Sequence, residues 1–154
     1  LIQLETNLDD ESPELVGHLS QLLMEAGALD VSVLPAQMKK GRPGILLQVL
    51  AKPQQADSLE HLLFHESSTL GVRRREVQRN SLPRRSEVVK TKFGDIRVKI
   101  ATLPDGQSRV TPEYEDCREA ASKSGTPIRE VYHQAEHEAA HALNLPHSHE
   151  GHAH

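Results

Sequence analysis

Apolar and polar side chains alternate over residues 1–7: Ile2, Leu4 and Thr6 share one face, Gln3, Glu5 and Asn7 the other, which is the period of a half-buried strand. The strand runs into an acidic corner of Asn7, Asp9, Asp10 and Glu11, followed by Ser12-Pro13, a helix cap and a first-turn residue. The period then changes. Leu15, Leu19, Leu22, Leu23 and Ala26 predict one buried helical stripe, which Gly27 can close in the left-handed region. Residues 29–34 and 45–50 predict a second and a third strand, and Pro53 stops the third. Leu59, Leu62 and Leu63 mark a second helix ending near His65-Glu66, and residues 69–75 resume an extended pattern.

Strand, helix, strand, strand, helix, strand predicts an α+β fold, a ferredoxin-like βαββαβ sheet with both helices on one face, because right-handed crossovers put them there. Downstream, residues 86–92 and 95–102 predict a hairpin turning at Phe93-Gly94, and residues 103–106 a turn. Thr111-Pro112 and Thr126-Pro127 predict the starts of two C-terminal helices. Gly125 ends the first, and the second carries a thin apolar stripe of Val131, Ala135, Ala139 and Ala142. The expected organisation is a ferredoxin-like domain over 1–80, a β-hairpin plus helical extension over 81–145, and a flexible His-rich tail over 146–154.

Composition narrows the function. With no Trp, two Phe and two Tyr, the core must be built from Leu, Val, Ile and Ala. A net charge of −4 argues against general nucleic-acid binding and favours a small partner. The single cysteine, Cys117, excludes an internal disulfide, and no apolar run approaches the ~20 residues that span a bilayer. A soluble, cytoplasmic protein is expected. The chain opens in a strand pattern at Leu1 without an initiator Met or a signal peptide, which reads as a piece of a longer protein.

Three stretches carry candidate chemistry. Residues 35–44 place Lys39, Lys40 and Arg42 among glycines, Gly44 included, between two strands; charge-assisted donors with close backbone approach suit a phosphate-bearing ligand, and a solvated hairpin loop is the bland alternative. Arg73 and Arg75 share one strand face and Arg74 the other, so Arg73 and Arg75 are the further phosphate candidates. Asp9 and Asp10, with Glu66 or Glu5, offer hard oxygen ligands for Mg²⁺ or Mn²⁺, although acidic residues at a helix start can simply complement its dipole. His133, His137 and His141, at i, i+4 and i+8, can chelate nickel pairwise or form a solvated face. The tail can hold Ni²⁺ or Zn²⁺ loosely. Topology alone leaves open whether the basic loop meets the acidic corner within one subunit or across a homo-oligomer interface.

Several blocks also resemble a known family: Glu5-Thr6-Asn7-Leu8-Asp9-Asp10, Gly27-Ala28-Leu29-Asp30-Val31, Met38-Lys39-Lys40-Gly41-Arg42-Pro43-Gly44, Ser68-Thr69-Leu70-Gly71-Val72-Arg73 and Pro112-Glu113-Tyr114-Glu115-Asp116-Cys117. As an ordered set they are similar to the C-terminal domain of the LarC nickel insertases. The resemblance implies a CTP-binding domain of a CTP-dependent nickel insertase, a metal-chelatase type of lyase. Such an enzyme inserts Ni²⁺, its substrate, into pyridinium-3,5-bisthiocarboxylic acid mononucleotide to complete the nickel-pincer cofactor of lactate racemase, with Mn²⁺ or Mg²⁺ accompanying the triphosphate. It further implies an N-terminal domain of the same protein as partner, and chemistry at the α-phosphorus with pyrophosphate as leaving group. A non-catalytic regulatory module and a nickel chaperone are the alternative expectations.

Overall fold

The computed structural model describes residues 1–144, which form two compact units dividing after Arg79. The first unit contains β1 (Ile2–Leu8), α1 (Pro13–Glu25), β2 (Asp30–Gln37), β3 (Pro43–Ala51), α2 (Pro53–Glu66) and β4 (Arg73–Glu76). Its sheet has the order β2-β3-β1-β4 with every neighbour antiparallel, the ferredoxin-like arrangement. Both crossovers are helical, so α1 and α2 cover one face. Ile2, Leu4, Leu47, Val49 and Ala51 from the sheet meet Leu19, Leu23, Ala56, Leu59 and Leu63 from the helices, all buried. Each large side chain so buried contributes ~1.5–3 kcal/mol.

α1 begins where expected: the Leu15 amide donates to Ser12 Oγ at 3.3 Å, and Pro13 occupies the first turn. It ends in a Schellman closure, with Gly27 at φ 99° and the Ala28 amide donating to the Leu23 carbonyl. The apolar stripe is shorter than predicted. Leu19 and Leu23 are buried, but Leu15 is 54% exposed and Ala26 is exposed, because the ends of α1 carry no further core contact. β2 reaches Gln37, three residues beyond the predicted end; Pro35 is accommodated because β2 is an edge strand.

The second unit holds β5 (Arg84–Thr91), β6 (Gly94–Thr102), β7 (Ser108–Pro112), α3 (Tyr114–Ser124) and α4 (Ile128–Ala142). The predicted hairpin is β5–β6, and β7 adds a third strand in the order β5-β6-β7. This corrects the expected start of α3: Thr111 and Pro112 pair with Lys99 and Val98 in the sheet, and Glu113 takes the cap position without a side-chain bond. Val89, Ile96, Val98 and Ile100 pack against Cys117, Ala120, Val131, Ala135 and Ala139. Ala142, predicted in the stripe, is exposed. Burial pushes the Cys117 thiol up, so it is a small apolar core group rather than a nucleophile. Among the described residues no helix is long and apolar enough to cross a membrane. The His-rich tail lies outside the described residues.

Candidate functional site

In a βαββαβ sheet the end of β1, the β2–β3 connection and the start of β4 fall at the same end of the strands, so three separate sequence blocks converge there. The first is residues 6–11, leaving β1. The second is the hairpin connection of residues 38–42, closed by the Met38 amide donating to the Arg42 carbonyl at 2.7 Å. The third is residues 67–73, from the end of α2 into β4.

Side chains join the three. Arg42 Nη2 stands 3.4 Å from Asp9 Oδ2, so basic connector and acidic corner meet within one chain. Ser68 Oγ donates to Asp10 Oδ1 at 2.6 Å, and the Ser68 amide donates to Glu11 Oε1. Thr6, the buried polar residue of the core, forms a triangle with the Thr69 hydroxyl and the Gly71 carbonyl, which satisfies it. Arg73 donates to Asn7 Oδ1 at 2.6 Å. Between residues 6–10 and 68–71, with Arg73 on its wall, opens a cleft of ≈ 360 Å³.

The connector itself is tight. Lys40 adopts φ 59°, ψ 26° and is followed by Gly41 at φ 69°, two successive left-handed residues in the single 3-10 turn Lys39–Gly41. A lysine there carries a cost of ~1–2 kcal/mol that glycine would not, and backbone strain of this sort collects at ligand sites. Lys39, Lys40 and Arg42 are all exposed at the tip. Gly44, expected to admit a ligand, closes instead on the chain: a Cβ there would lie 2.7 Å from both the Leu8 carbonyl oxygen and Met38 Cγ. Its missing side chain is what lets the connector lie against the end of β1.

The expected carboxylate set is not assembled. Glu5 points to the face of the sheet away from the helices, where Arg75 Nη2 reaches it at 2.9 Å, Arg73 Nε at 3.6 Å and Gln48 Nε2 at 3.0 Å. The register that pairs Glu5 with Arg73 and Gln3 with Arg75 imposes this, and it makes Glu5 a counter-ion rather than an open ligand. Glu66 is the exposed last residue of α2. Among the described residues no three His, Cys, Asp or Glu side chains are arranged to hold one ion. What is left is the adjacent pair Asp9 and Asp10, a number that suits a hard cation completed by phosphate oxygens and water.

Arg74 faces the other way, as alternation requires, and binds Asp57 and Glu60 of α2. In the second unit His133, His137 and His141 line the exposed side of α4, opposite Val131, Ala135 and Ala139. Asn7 was placed in the acidic corner by the sequence, whereas Thr6, Ser68 and Thr69 were not singled out as lining this cleft. Their signal was only membership in the Glu5–Asp10 and Ser68–Arg73 blocks.

The model of the family described as "Nickel insertion protein" matches residues 1–132. A Syntrophobacter fumaroxidans protein, placed by its name among nickel insertion proteins, is 46% identical over 134 residues, 87% of this chain and 34% of that one. The pyridinium-3,5-bisthiocarboxylic acid mononucleotide nickel insertion protein of Thermotoga sp. (strain RQ2) is 42% identical over 131 residues, 85% and 33% of the two chains. The chain therefore spans about a third of the length of these curated relatives. Among solved structures, the apo form of LarC2, the C-terminal domain of a cyclometallase involved in the synthesis of the NPN cofactor of lactate racemase, superposes with a TM-score of 0.83 at 39% identity, covering 90% of this chain and 95% of that one. The chain belongs to the nickel insertion protein family.

Proposed function

We propose that this chain is the CTP- and divalent-cation-binding part of a nickel insertase that places Ni²⁺ in pyridinium-3,5-bisthiocarboxylic acid mononucleotide. The observation that carries the reading is the meeting of Arg42 with Asp9, a residue that lines the cleft between residues 6–10 and 68–71. One chain thus offers phosphate donors and hard oxygen ligands side by side.

In this reading Lys39, Lys40 and Arg42 donate to the triphosphate from the connector, and Arg73 does so from the cleft wall. Arg42 exchanges Asp9 for phosphate oxygen, and the freed Asp9 joins Asp10 in holding Mg²⁺ or Mn²⁺, which when bound offsets triphosphate charge. Arg75 keeps Glu5 neutralised on the open face. The Thr6–Thr69–Gly71 triangle fixes the 68–71 segment against β1, so the donors are held in place before the ligand arrives. The site positions and neutralises, and it contributes no cysteine nucleophile. β2 and β4 end the sheet with no further strand among the described residues paired to them, which supports a homo-oligomer, and a nucleotide ligand supports a cytoplasmic location.

Calorimetry with CTP and ATP, with and without Mn²⁺ or Mg²⁺, tests this. CTP binding that requires the cation and exceeds ATP binding is expected. Equal affinity for the two nucleotides would remove the CTP assignment, and cation-independent binding would remove the role of Asp9 and Asp10.

A further inference from the structure

The last two turns of α2 carry His61 and His65, spaced i, i+4 on the solvent side, with ring centroids 4.3 Å apart and ring planes tilted by 53°. Neither takes part in the cleft contacts described above. We infer that His61 and His65 form a two-point docking site for a borderline divalent transition metal such as Ni²⁺.

Ligand type, reach and place all favour such an ion at this pair. Imidazole nitrogen suits Ni²⁺, whereas carboxylate and phosphate oxygen suit Mg²⁺ and Mn²⁺. A protein handling both kinds of ion keeps them apart by giving each its own donors, and Asp9 with Asp10 already form the hard pair. Residues i and i+4 on a helix have Cβ atoms ~5–6 Å apart, and here the rings already stand together, so rotation about the side-chain bonds suffices to aim a nitrogen of each at one ion. Asp57, the next residue of the same row at i−4 from His61, is taken by Arg74, so the row supplies two ligands and water supplies the rest. Two-point binding is readily reversed, as a transferable ion requires. His65 stands three residues before Ser68, whose amide and hydroxyl bind Glu11 and Asp10 at the cleft. A docked ion therefore sits on the element that leads into the nucleotide site. The pair's role as the loading point for the nickel substrate rests on the function proposed above; metal binding by the pair does not.

Site-resolved amide NMR of the full chain with substoichiometric Ni²⁺, a paramagnetic ion, tests the inference despite the other histidines. Broadening of residues 61–66 is expected in the wild type. His65→Gln should raise the Ni²⁺ needed for half-broadening there about tenfold or more, the gain expected of a second tethered ligand, and His61→Gln/His65→Gln should abolish it. CTP calorimetry on the double variant should match wild type, so failure of nucleotide binding in the wild type would count against the proposed function and leave this result standing. Broadening confined to residues 7–11 or to α4, or unchanged in the double variant at residues 61–66, would overturn the inference.

Discussion

Arg42 and Asp9, thirty-three positions apart in the sequence, stand 3.4 Å apart because the hairpin joining β2 to β3 folds over the end of β1. Gly44 makes that approach possible. Replacing it with alanine puts a methyl group 2.7 Å from a backbone oxygen that cannot swing aside. Gly44→Ala should destabilise the first unit by ~1–3 kcal/mol, the usual cost of overpacking, and loosen the contact between connector and β1. Denaturant unfolding measures the loss, and unchanged stability would show that the connector rides free of β1.

Lys40→Gly separates strain from binding. Glycine occupies the left-handed region without the steric cost, partly offset by its freer unfolded state, so the variant should gain up to about 1 kcal/mol in denaturant unfolding. On the proposed function it should simultaneously lose CTP affinity, because the Lys40 ammonium assigned there to the triphosphate is removed. Loss of stability would mean that the lysine side chain supports the turn instead.

Much of the fold was legible because alternation and helical period report burial directly. β1, α2 and the β5–β6 hairpin follow from Leu4, Leu59 and Val98 and their periodic neighbours. β7 was not legible: Ser108–Pro112 has little apolar content, and Thr111-Pro112 imitates a helix start while ending an edge strand. At the site, the cations of residues 39–42 and the acids at 9–10 could be read from charge. Their meeting could not, since it depends on which end of the sheet each connection occupies. The Thr6–Thr69 pairing was equally hidden, because Thr6 continues an apolar alternation and its hydroxyl finds a partner sixty-three residues away. The partners of Glu5 were hidden for a related reason: its cross-strand neighbours Arg73 and Arg75 appear only once register is fixed.

In the second unit Arg97 clasps Asp116 through its Nη2 at 2.6 Å, its Nε at 2.9 Å and its own amide at 2.9 Å, which holds the carboxyl down at about 2 from its ordinary 3.8. A depressed carboxylate stabilises the fold above its unfolded value and loses that contribution as pH falls through the folded one. The difference in melting temperature between wild type and Asp116→Asn should therefore be full above about pH 4 and shrink as pH falls toward about 2. A difference that stays constant across that window would show the clasp to be energetically silent.

The central claim is that the connector and the acidic corner form one triphosphate site, and CTP calorimetry on Arg42→Ala in the presence of Mn²⁺ tests it most directly. A charge-assisted hydrogen bond is worth ~1.5–3 kcal/mol, so the variant should bind at least about tenfold more weakly. Its melting should barely change, since the Arg42–Asp9 pair is a surface contact worth at most ~1 kcal/mol. Asp10→Asn is the companion measurement, with weakening greatest at low Mn²⁺ and partly rescued by excess metal. Wild-type CTP affinity in Arg42→Ala would contradict the account and leave residues 38–42 as a solvated turn.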